Sequence, residues 1–531
     1  MIEKYYSGLI EQFYIRIGKE SRNIVLVNYS NDFSIENLEV IRRYQSNEDN
    51  VFFAYSEFSY NTLVGAYEPF LDIICNMHRR FIGGSFDDFQ KECGVYYLHR
   101  QVLNSYYETG ECFREETVLL NEVAYEQRRM TMAIADMLKR LSEVRPLMIV
   151  INRFQMASKS SIETIKYLID NPCANIGIVL GVNAIVKGAD STVEVWDRIV
   201  ESLEDRSAIY YIGSAGPLKN NIKTTNDDEL YITMNFEQSI QEASNIMEFL
   251  DYEQARRGCR IIEHKIKFEN AWIDEKSLRR FYLVYARTSV LLGEMSKAIE
   301  LMNEYKALIP ENDSEHYFSL YYFMKGTCYM YQGKLEKAEG CAKKAYDYAL
   351  LADDELLEFK SELLSVMIKM SGWYNIFFCV QDIPVSDEII EKLIKHGYRN
   401  HLAHIYIYAY DNSRDVVKQS FYDESLLKHF TKGLELAKEI GNEQLVYDAY
   451  QKTIMLASTS GLNEIAFLYV IRTYEFMKGH GNIYVARVLT SIGYNLSAMG
   501  KNELVDNYYN AAINMLYYLK LPEDIAEVYY N

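Results

Sequence analysis

The residues that could carry chemistry follow a short apolar run, Leu147–Ile151, in the first half of the chain. Pro146 precedes this run and polar residues follow it, as is typical of a buried strand in a parallel sheet. A magnesium-dependent site that hydrolyses phosphate places acids directly after such a strand, because carboxylates bind the metal ion. Asn152 and Arg153 hold those positions here. A neutral amide binds Mg²⁺ weakly and a guanidinium repels it, so the sequence predicts no hydrolysis at this strand.

The phosphate-binding side of such a site is also missing. A P-loop needs glycines, whose backbone N–H groups wrap the phosphates, and a lysine that reaches the β and γ oxygens. The segment after the first apolar run has neither, and no lysine occurs between Glu20 and Gln90. This degenerate Walker A position comprises Asn28, Tyr29, Ser30, Asn31 and Asp32. We therefore expect no catalytic residue, no metal and no cofactor here, and ATPase activity is not expected.

The elements that would position these residues are strands alternating with helices. The predicted helices cover Val118–Leu141 and Ser160–Ile169. Alternation of this kind favours a parallel sheet with helices on both faces, which binds ligands beyond the carboxyl ends of its strands. Five apolar, β-branched runs are predicted strands: Ile24–Val27, Val51–Ala54, Leu147–Ile151, Ile176–Leu180 and Ala208–Ile212.

A family resemblance rests on two of these segments. The stretch Val150–Ser158, followed by Ser161–Leu168, resembles the Walker B strand and helix of signal-transducing ATPases of the AAA+/STAND type. Ala157, Ser161, Ile162, Ile165 and Leu168 fit that pattern, whereas the acids expected at 152, 153 and 158 are absent. Tyr67–Phe70 resembles a Pro-Phe motif of the same family. The resemblance implies a degenerate P-loop NTPase-like α/β domain over residues 1–225.

The rest of the chain, residues 226–531, carries a repeating helical pattern. Glycines expected in the turns between helices are spaced by 40, 39, 89 and 39 residues, at Gly293, Gly333, Gly372, Gly461 and Gly500. The long step equals two units plus an insertion, placed at Asp411–Tyr422. The pattern resembles tetratricopeptide repeats lengthened to about 40 residues, which form an all-α superhelical solenoid. A helical bundle without repeats is the alternative.

The last residues resemble the opening of another repeat. Ala526 stands 40 residues after Ala486, which places Asn531 inside a first helix. The sequence is therefore expected to be truncated inside a repeat, with an output module beyond it. The family resemblance suggests a helix-turn-helix regulator or a nucleotide cyclase such as a diguanylate cyclase.

Smaller motifs indicate structure more than chemistry. Ser85, after a glycine pair, is predicted to cap a helix. His401 and His404 share one helical face, and Cys75 and His78 form half of a zinc motif. Neither set supplies the three or four converging ligands that a metal needs, so no metal site is expected.

Bulk composition narrows the function classes. The 531 residues have a net charge of −19, which disfavours binding to nucleic acid or an anionic membrane. Eight scattered cysteines and the absence of a signal-peptide pattern favour the cytoplasm. The leading hypothesis is a non-catalytic sensory or regulatory segment whose solenoid groove binds a protein or peptide. The alternatives are the regulatory part of an enzyme or transcription regulator, and a nucleotide-binding switch with unconventional contacts. The oligomeric state stays open.

Overall fold

The chain forms two compact units, Met1–Tyr317 and Phe318–Asn531. The expected domain boundary at 225/226 lies outside the residues that the structure describes. The computed structural model describes residues 2–19, 23–29, 38–46, 51–59, 63–114, 116, 118, 122–183, 193–212, 236–268, 273–312, 314–374, 385–409, 424–478, 482–519, 525 and 528–529.

The first unit contains a five-stranded parallel sheet, which confirms the predicted strands. Each strand buries apolar side chains, and all six residues of the third strand are buried. The spatial order is β2-β3-β4-β1-β5. The strands are β1 (Ile24–Tyr29), β2 (Phe52–Glu57), β3 (Leu147–Asn152), β4 (Ile176–Asn183) and β5 (Ile209–Ile212).

Helices cover the sheet and continue into the first helix pairs. They are α1 (Ile2–Arg16), α2 (Glu39–Ser46), α3 (Phe70–Met77), α4 (Phe86–Glu92), α5 (Tyr97–Thr109), α6 (Val123–Val144), α7 (Lys159–Asp170), α8 (Val193–Glu204), α9 (Phe236–Glu248), α10 (Tyr252–Phe268), α11 (Glu275–Leu291) and α12 (Met295–Ala307). Tyr6 and Phe13 of α1 share one apolar core with Val27, Val150 and Val179 of the sheet. The sheet strands therefore read as continuous apolar runs because helices cover them.

Two helix starts have the caps that local chemistry favours. Ser85 accepts a hydrogen bond from the Asp88 N–H at 3.2 Å, which confirms the predicted cap of α4. Ser158 accepts from the Ser161 N–H at 3.4 Å and caps α7. A side-chain oxygen at this position satisfies an N–H group that has no partner within the helix.

The second unit is made of consecutive helix pairs, so the predicted helical repeats are confirmed. The helices are α13 (Glu315–Tyr331), α14 (Leu335–Leu351), α15 (Glu355–Tyr374), α16 (Asp387–Lys395), α17 (Arg399–His404), α18 (Glu424–Ile440), α19 (Glu443–Thr459), α20 (Asn463–Met477), α21 (Asn482–Ala498) and α22 (Asn502–Leu519). A π-helical turn, Ile405–Ala409, extends α17. The predicted insertion at Asp411–Tyr422 lies outside the described residues, as does most of the expected next repeat after Leu519.

Four of the five expected turn glycines stand between paired helices with a left-handed backbone. Their φ angles are 77° at Gly293, 70° at Gly333, 74° at Gly461 and 73° at Gly500. The expectation for Gly372 is wrong, because this residue lies inside α15. Regular spacing cannot distinguish a turn glycine from a helical one, since tertiary packing outweighs the roughly 1 kcal/mol that glycine costs a helix.

Small residues allow the helices of the second unit to approach closely. A Cβ atom on Gly326 of α13 would lie 3.0 Å from Leu364 of α15 and 3.4 Å from the Ala338 carbonyl of α14. Ala338, Ala342 and other alanines of α14 are fully buried. The spacing of small residues in the sequence thus reflects contact between helices.

Polar contacts repeat with the same period as the glycines. Within the second unit, the Tyr408 hydroxyl donates to Asp448, 40 residues away, at 2.6 Å. The Ser491 hydroxyl donates to Gln451, also 40 residues away, at 3.3 Å. Within the first unit, Arg287 of α11 donates to Glu248 of α9, 39 residues away, at 2.8 Å. The first helices of successive pairs therefore lie side by side.

A matched pair of alanine substitutions tests the turn geometry. Gly333→Ala should destabilise the protein by about 1 kcal/mol, because a Cβ is disfavoured at positive φ. Gly340→Ala, on the exposed side of α14, should stabilise it by about 0.5–1 kcal/mol, since alanine is the better helix former. No described atom lies within 4 Å of the added Cβ at either position, so clashes do not interfere. Urea denaturation measures both effects, and changes of the same sign would contradict this account.

Candidate functional site

The sheet has one topological switch point, between β1 and β4. The connection after β1 leads to β2 at one edge, whereas the connection after β4 leads past β1 to β5 at the other edge. Sheets of this type bind ligands in the crevice beyond the carboxyl ends of the strands at such a point. The structure places the sequence-predicted residues Asn28, Tyr29 and Asn152 at these ends.

Side chains of the protein itself occupy this crevice. The Tyr29 hydroxyl donates a hydrogen bond of 2.7 Å to the Asn152 carboxamide oxygen, and both side chains are buried. A Cβ atom on Gly181 of β4 would lie 2.7 Å from that oxygen and 2.8 Å from the Tyr6 hydroxyl of α1. The absence of a side chain at Gly181 therefore leaves the space that Tyr6, Tyr29 and Asn152 fill.

The hydroxyl and amide groups of the crevice are buried. Burial, and secondarily the negative charge of Glu57, raise the pKa of the Tyr6 hydroxyl above its ordinary value. Tyr6 is therefore neutral at physiological pH. Asn28 is fully buried within β1, where its backbone lies opposite Val182 of β4 and Tyr211 of β5.

Arg153, the second residue of the predicted degenerate Walker B position, forms an ion pair. Its Nη1 atom lies 3.1 Å from Glu57 Oε1 at the end of β2 and donates to the Phe58 carbonyl at 3.4 Å. The Tyr55 hydroxyl also donates to Glu57. Arg153 itself has a left-handed backbone, with φ of 55°. The guanidinium thus links the ends of β2 and β3.

The remaining Walker A positions, Ser30, Asn31 and Asp32, lie outside the described residues. In the described part of the chain, no group of three or more His, Cys, Asp or Glu side chains could hold a metal ion. His401 and His404 are buried in their helix, and His78 lies 3.1 Å from the Tyr107 hydroxyl. Across the described helices, none is long and apolar enough to span a membrane.

A second polar cluster, which sequence reasoning missed, joins the sheet to the α9–α10 hairpin. Asp251, between these helices, is 5% exposed. Its Oδ2 atom accepts from the Ser160 N–H of α7 at 3.1 Å, and its Oδ1 atom accepts from the Gln254 N–H of α10 at 3.4 Å. Burial raises the pKa of Asp251, whereas these N–H donors lower it. An aspartate directly before a helical run is a sequence signal for a helix cap, so the contact of Asp251 with α10 could have been predicted. Nothing in the sequence indicated its contact with α7.

Other hairpin residues bind the loop before α6. The Asn245 oxygen accepts from the Cys112 N–H at 2.9 Å, and its amide nitrogen donates to the Gly110 carbonyl at 3.2 Å. Arg114 donates to the Glu248 carbonyl at 2.7 Å. The hairpin is therefore held to the α/β part by hydrogen bonds as well as by apolar packing.

Carboxylates crowd one side of the same joint. Glu242 of α9 faces Glu68 and Asp72, which precede and begin α3. Burial, followed by repulsion from these two acids, raises the pKa of Glu242 from 4.5 to about 7. Burial likewise raises the pKa of Glu68. Ionisation of Glu242 therefore opposes the docked arrangement near neutral pH.

Comparison with known proteins gives structural similarities only. No family model and no curated protein matches the sequence. The crystal structure of NprR in complex with its cognate peptide NprX is 14% identical with a TM-score of 0.37, over 56% of this chain and 82% of that one. The Rap protein complexed with competence and sporulation factor is 14% identical with a TM-score of 0.37, over 55% and 79%. A STAND protein with a tetratricopeptide repeat sensor from Pyrococcus horikoshii is 12% identical with a TM-score of 0.31, over 99% and 84%.

Gly181→Ala tests whether the crevice is filled. The added Cβ would collide with Asn152 and Tyr6, so the free energy of unfolding should fall by roughly 1–3 kcal/mol. Gly8→Ala is the control, because it lies within α1 and no described atom is within 4 Å of its added Cβ. The control should be neutral or stabilising. Thermal unfolding measures both, and a neutral Gly181→Ala would mean that the crevice has room.

Glu242→Gln tests the crowded carboxylates. An acid with a raised pKa in the folded state destabilises the fold as pH rises from its ordinary pKa of 4.5 through about 7. Glutamine escapes this penalty, so the variant should be more stable than the parent by roughly 1–3 kcal/mol at pH 8 and about equal below pH 4.5.

The control for this pH dependence is Glu237→Gln, at an exposed glutamate of the same helix. It should change stability little at either pH. Denaturation curves recorded between pH 4.5 and 8 give the comparison, and a pH-independent effect of Glu242→Gln would contradict the raised pKa.

Proposed function

We propose that this chain is a non-catalytic regulatory segment, in which a degenerate AAA+/STAND-like α/β part supports tetratricopeptide-like repeats that bind a protein or peptide. The observation that carries the first half of the proposal is the hydrogen bond between Tyr29 and Asn152 in the switch-point crevice. It gives the carboxamide a protein partner in the place where a nucleotide site would have a metal ligand.

Three features support the loss of nucleotide chemistry. The Tyr6 and Tyr29 rings occupy the space against Gly181, so phosphate could approach the end of β4 only if they moved. Asn152 supplies no negative charge for Mg²⁺. The Arg153 guanidinium is paired with Glu57 and is 19% exposed. Restoring one acid would therefore not restore a site, because Tyr6 and Tyr29 occupy the space against Gly181 and the sequence after β1 lacks the glycines and lysine of a P-loop.

The repeats support the binding half of the proposal. Hydrogen bonds from Tyr408 to Asp448 and from Ser491 to Gln451 hold the first helices of successive pairs side by side. Positions along these helices therefore recur at a period of about 40 residues, and polar side chains at such positions can bind the N–H and C=O groups of an extended peptide. Solenoids offer such side chains along a continuous surface. A protein or peptide is therefore the class of partner that this surface fits.

Titration calorimetry with ATP and Mg²⁺ tests the first half directly. We expect no measurable binding heat at millimolar ATP and no phosphate release, because the crevice is filled. Asn152→Asp should also release no phosphate, and it should lower stability, since the new carboxylate would be buried without a metal. Micromolar binding with turnover would refute the proposal. Binding without turnover would favour the unconventional nucleotide switch.

A further inference from the structure

The first turn of α7 is the meeting point of three parts of the first unit. Ser160 donates its N–H to Asp251 of the hairpin, and its hydroxyl accepts from the Tyr67 N–H at 3.0 Å. The Ser161 hydroxyl donates to the Glu68 carbonyl at 2.7 Å. Ser160, Ser161 and Asp251 are buried, so breaking the hydrogen bond between Ser160 and Asp251 leaves polar atoms without water as a substitute partner.

Asp251 caps two helices at once. Its carboxylate accepts from the first turn of α10, its own helix, and from the first turn of α7. The N-terminal ends of both helices carry partial positive charge, so one negative group stabilises both. A side chain shared in this way couples the position of α7 to that of α10.

The α7 turn is also tied to the crevice through a short, packed connection. Only Arg153 to Ser158 separate Asn152 from the start of α7. Phe154 in this connection is fully buried and contacts the Trp196 ring with centroids 5.5 Å apart. A packed connection of this length transmits displacement instead of absorbing it.

Further hydrogen bonds hold the α9–α10 hairpin on either side of Asp251, and an ion pair links it to α11. Gln127 of α6 donates to the Leu250 carbonyl at 2.7 Å, and Gln254 donates to the Val64 carbonyl at 3.0 Å. Glu248 then pairs with Arg287 of α11 at 2.8 Å. A contiguous chain of contacts thus leads from Asn152 to the second helix pair.

We propose that Asp251 is a latch that makes the switch-point crevice and the α9–α10 hairpin one cooperative unit, so that a change at either is felt at the other. This inference rests on the proposed regulatory function, because it describes how the repeats and the sheet would communicate. Coupling of this kind is reciprocal: a change of state in the repeats alters the crevice as much as the reverse.

Hydrogen exchange of the full chain tests the latch. Tyr29→Phe removes the hydroxyl that Asn152 accepts from and so perturbs only the crevice. In the parent background it should speed exchange at least fivefold in peptides from both the sheet and 236–268. In an Asp251→Ala background, which has no side-chain acceptor for either N–H group, Tyr29→Phe should speed exchange in the sheet only. An effect that never reaches 236–268, or that still reaches it without Asp251, would overturn the latch.

Two further variants keep the test decisive. Asn245→Ala is the matched control, because Asn245 holds the hairpin to residues 110–112 and not to α7. In the Asn245→Ala background, Tyr29→Phe should still speed exchange in 236–268. If it does not, the role proposed for Asp251 is not specific to that residue. Ser160→Pro, at a first-turn position of α7, removes the N–H that donates to Asp251 together with the hydroxyl that accepts from Tyr67, and it replaces Asp251→Ala if that variant does not fold. If Tyr29→Phe still speeds exchange in 236–268 in the Ser160→Pro background, the latch is also overturned.

The two proposals fail separately. The exchange experiment uses neither nucleotide nor peptide, so nucleotide turnover would refute the proposed function and leave the latch intact. Absent transmission would refute the latch and leave the proposed function intact.

Discussion

At the switch point of this sheet, the buried Tyr29 hydroxyl and the buried Asn152 carboxamide oxygen are hydrogen-bond partners of one another. Polar groups at the carboxyl ends of the strands cannot be buried without partners. In a nucleotide-binding sheet the ligand and its metal ion supply them. In this chain the Tyr6, Tyr29 and Asn152 side chains occupy the corresponding space, which the absence of a side chain at Gly181 leaves open. The side chains at these strand ends therefore complete the core of the first unit.

The strands could be predicted from the sequence because burial on both faces gives continuous apolar runs. Leu147–Ile151 is such a run, and the structure adds only Asn152 at its end. The Ser85 cap was equally accessible, since capping is local chemistry. The partner of Asn152 was not, because Tyr29 lies 123 residues away and only the strand order brings the two together.

Local signals fail where one residue serves two elements. Asp251 reads as the cap of α10, yet its second oxygen binds α7, and no sequence pattern marks such a contact. The prediction for Gly372 is wrong for a different reason. This glycine has the same spacing as the turn glycines, yet it lies inside α15. Hydrogen bonds between successive helix pairs give the repeat length more directly than glycine spacing does. Tyr408 and Asp448, for example, are 40 residues apart and hydrogen-bonded.

The position of Tyr6 has a consequence for how the unit is assembled during synthesis. Tyr6 closes the crevice against Gly181, and the two are 181 − 6 = 175 residues apart. At ribosomal rates, roughly 10 to 35 s pass between the emergence of these two residues. Until β4 joins the sheet, α1 lacks the surface at Gly181 that its tyrosine packs against. The contact between Tyr6 and Gly181 therefore belongs to the class of long sequence separation, which is slow to form.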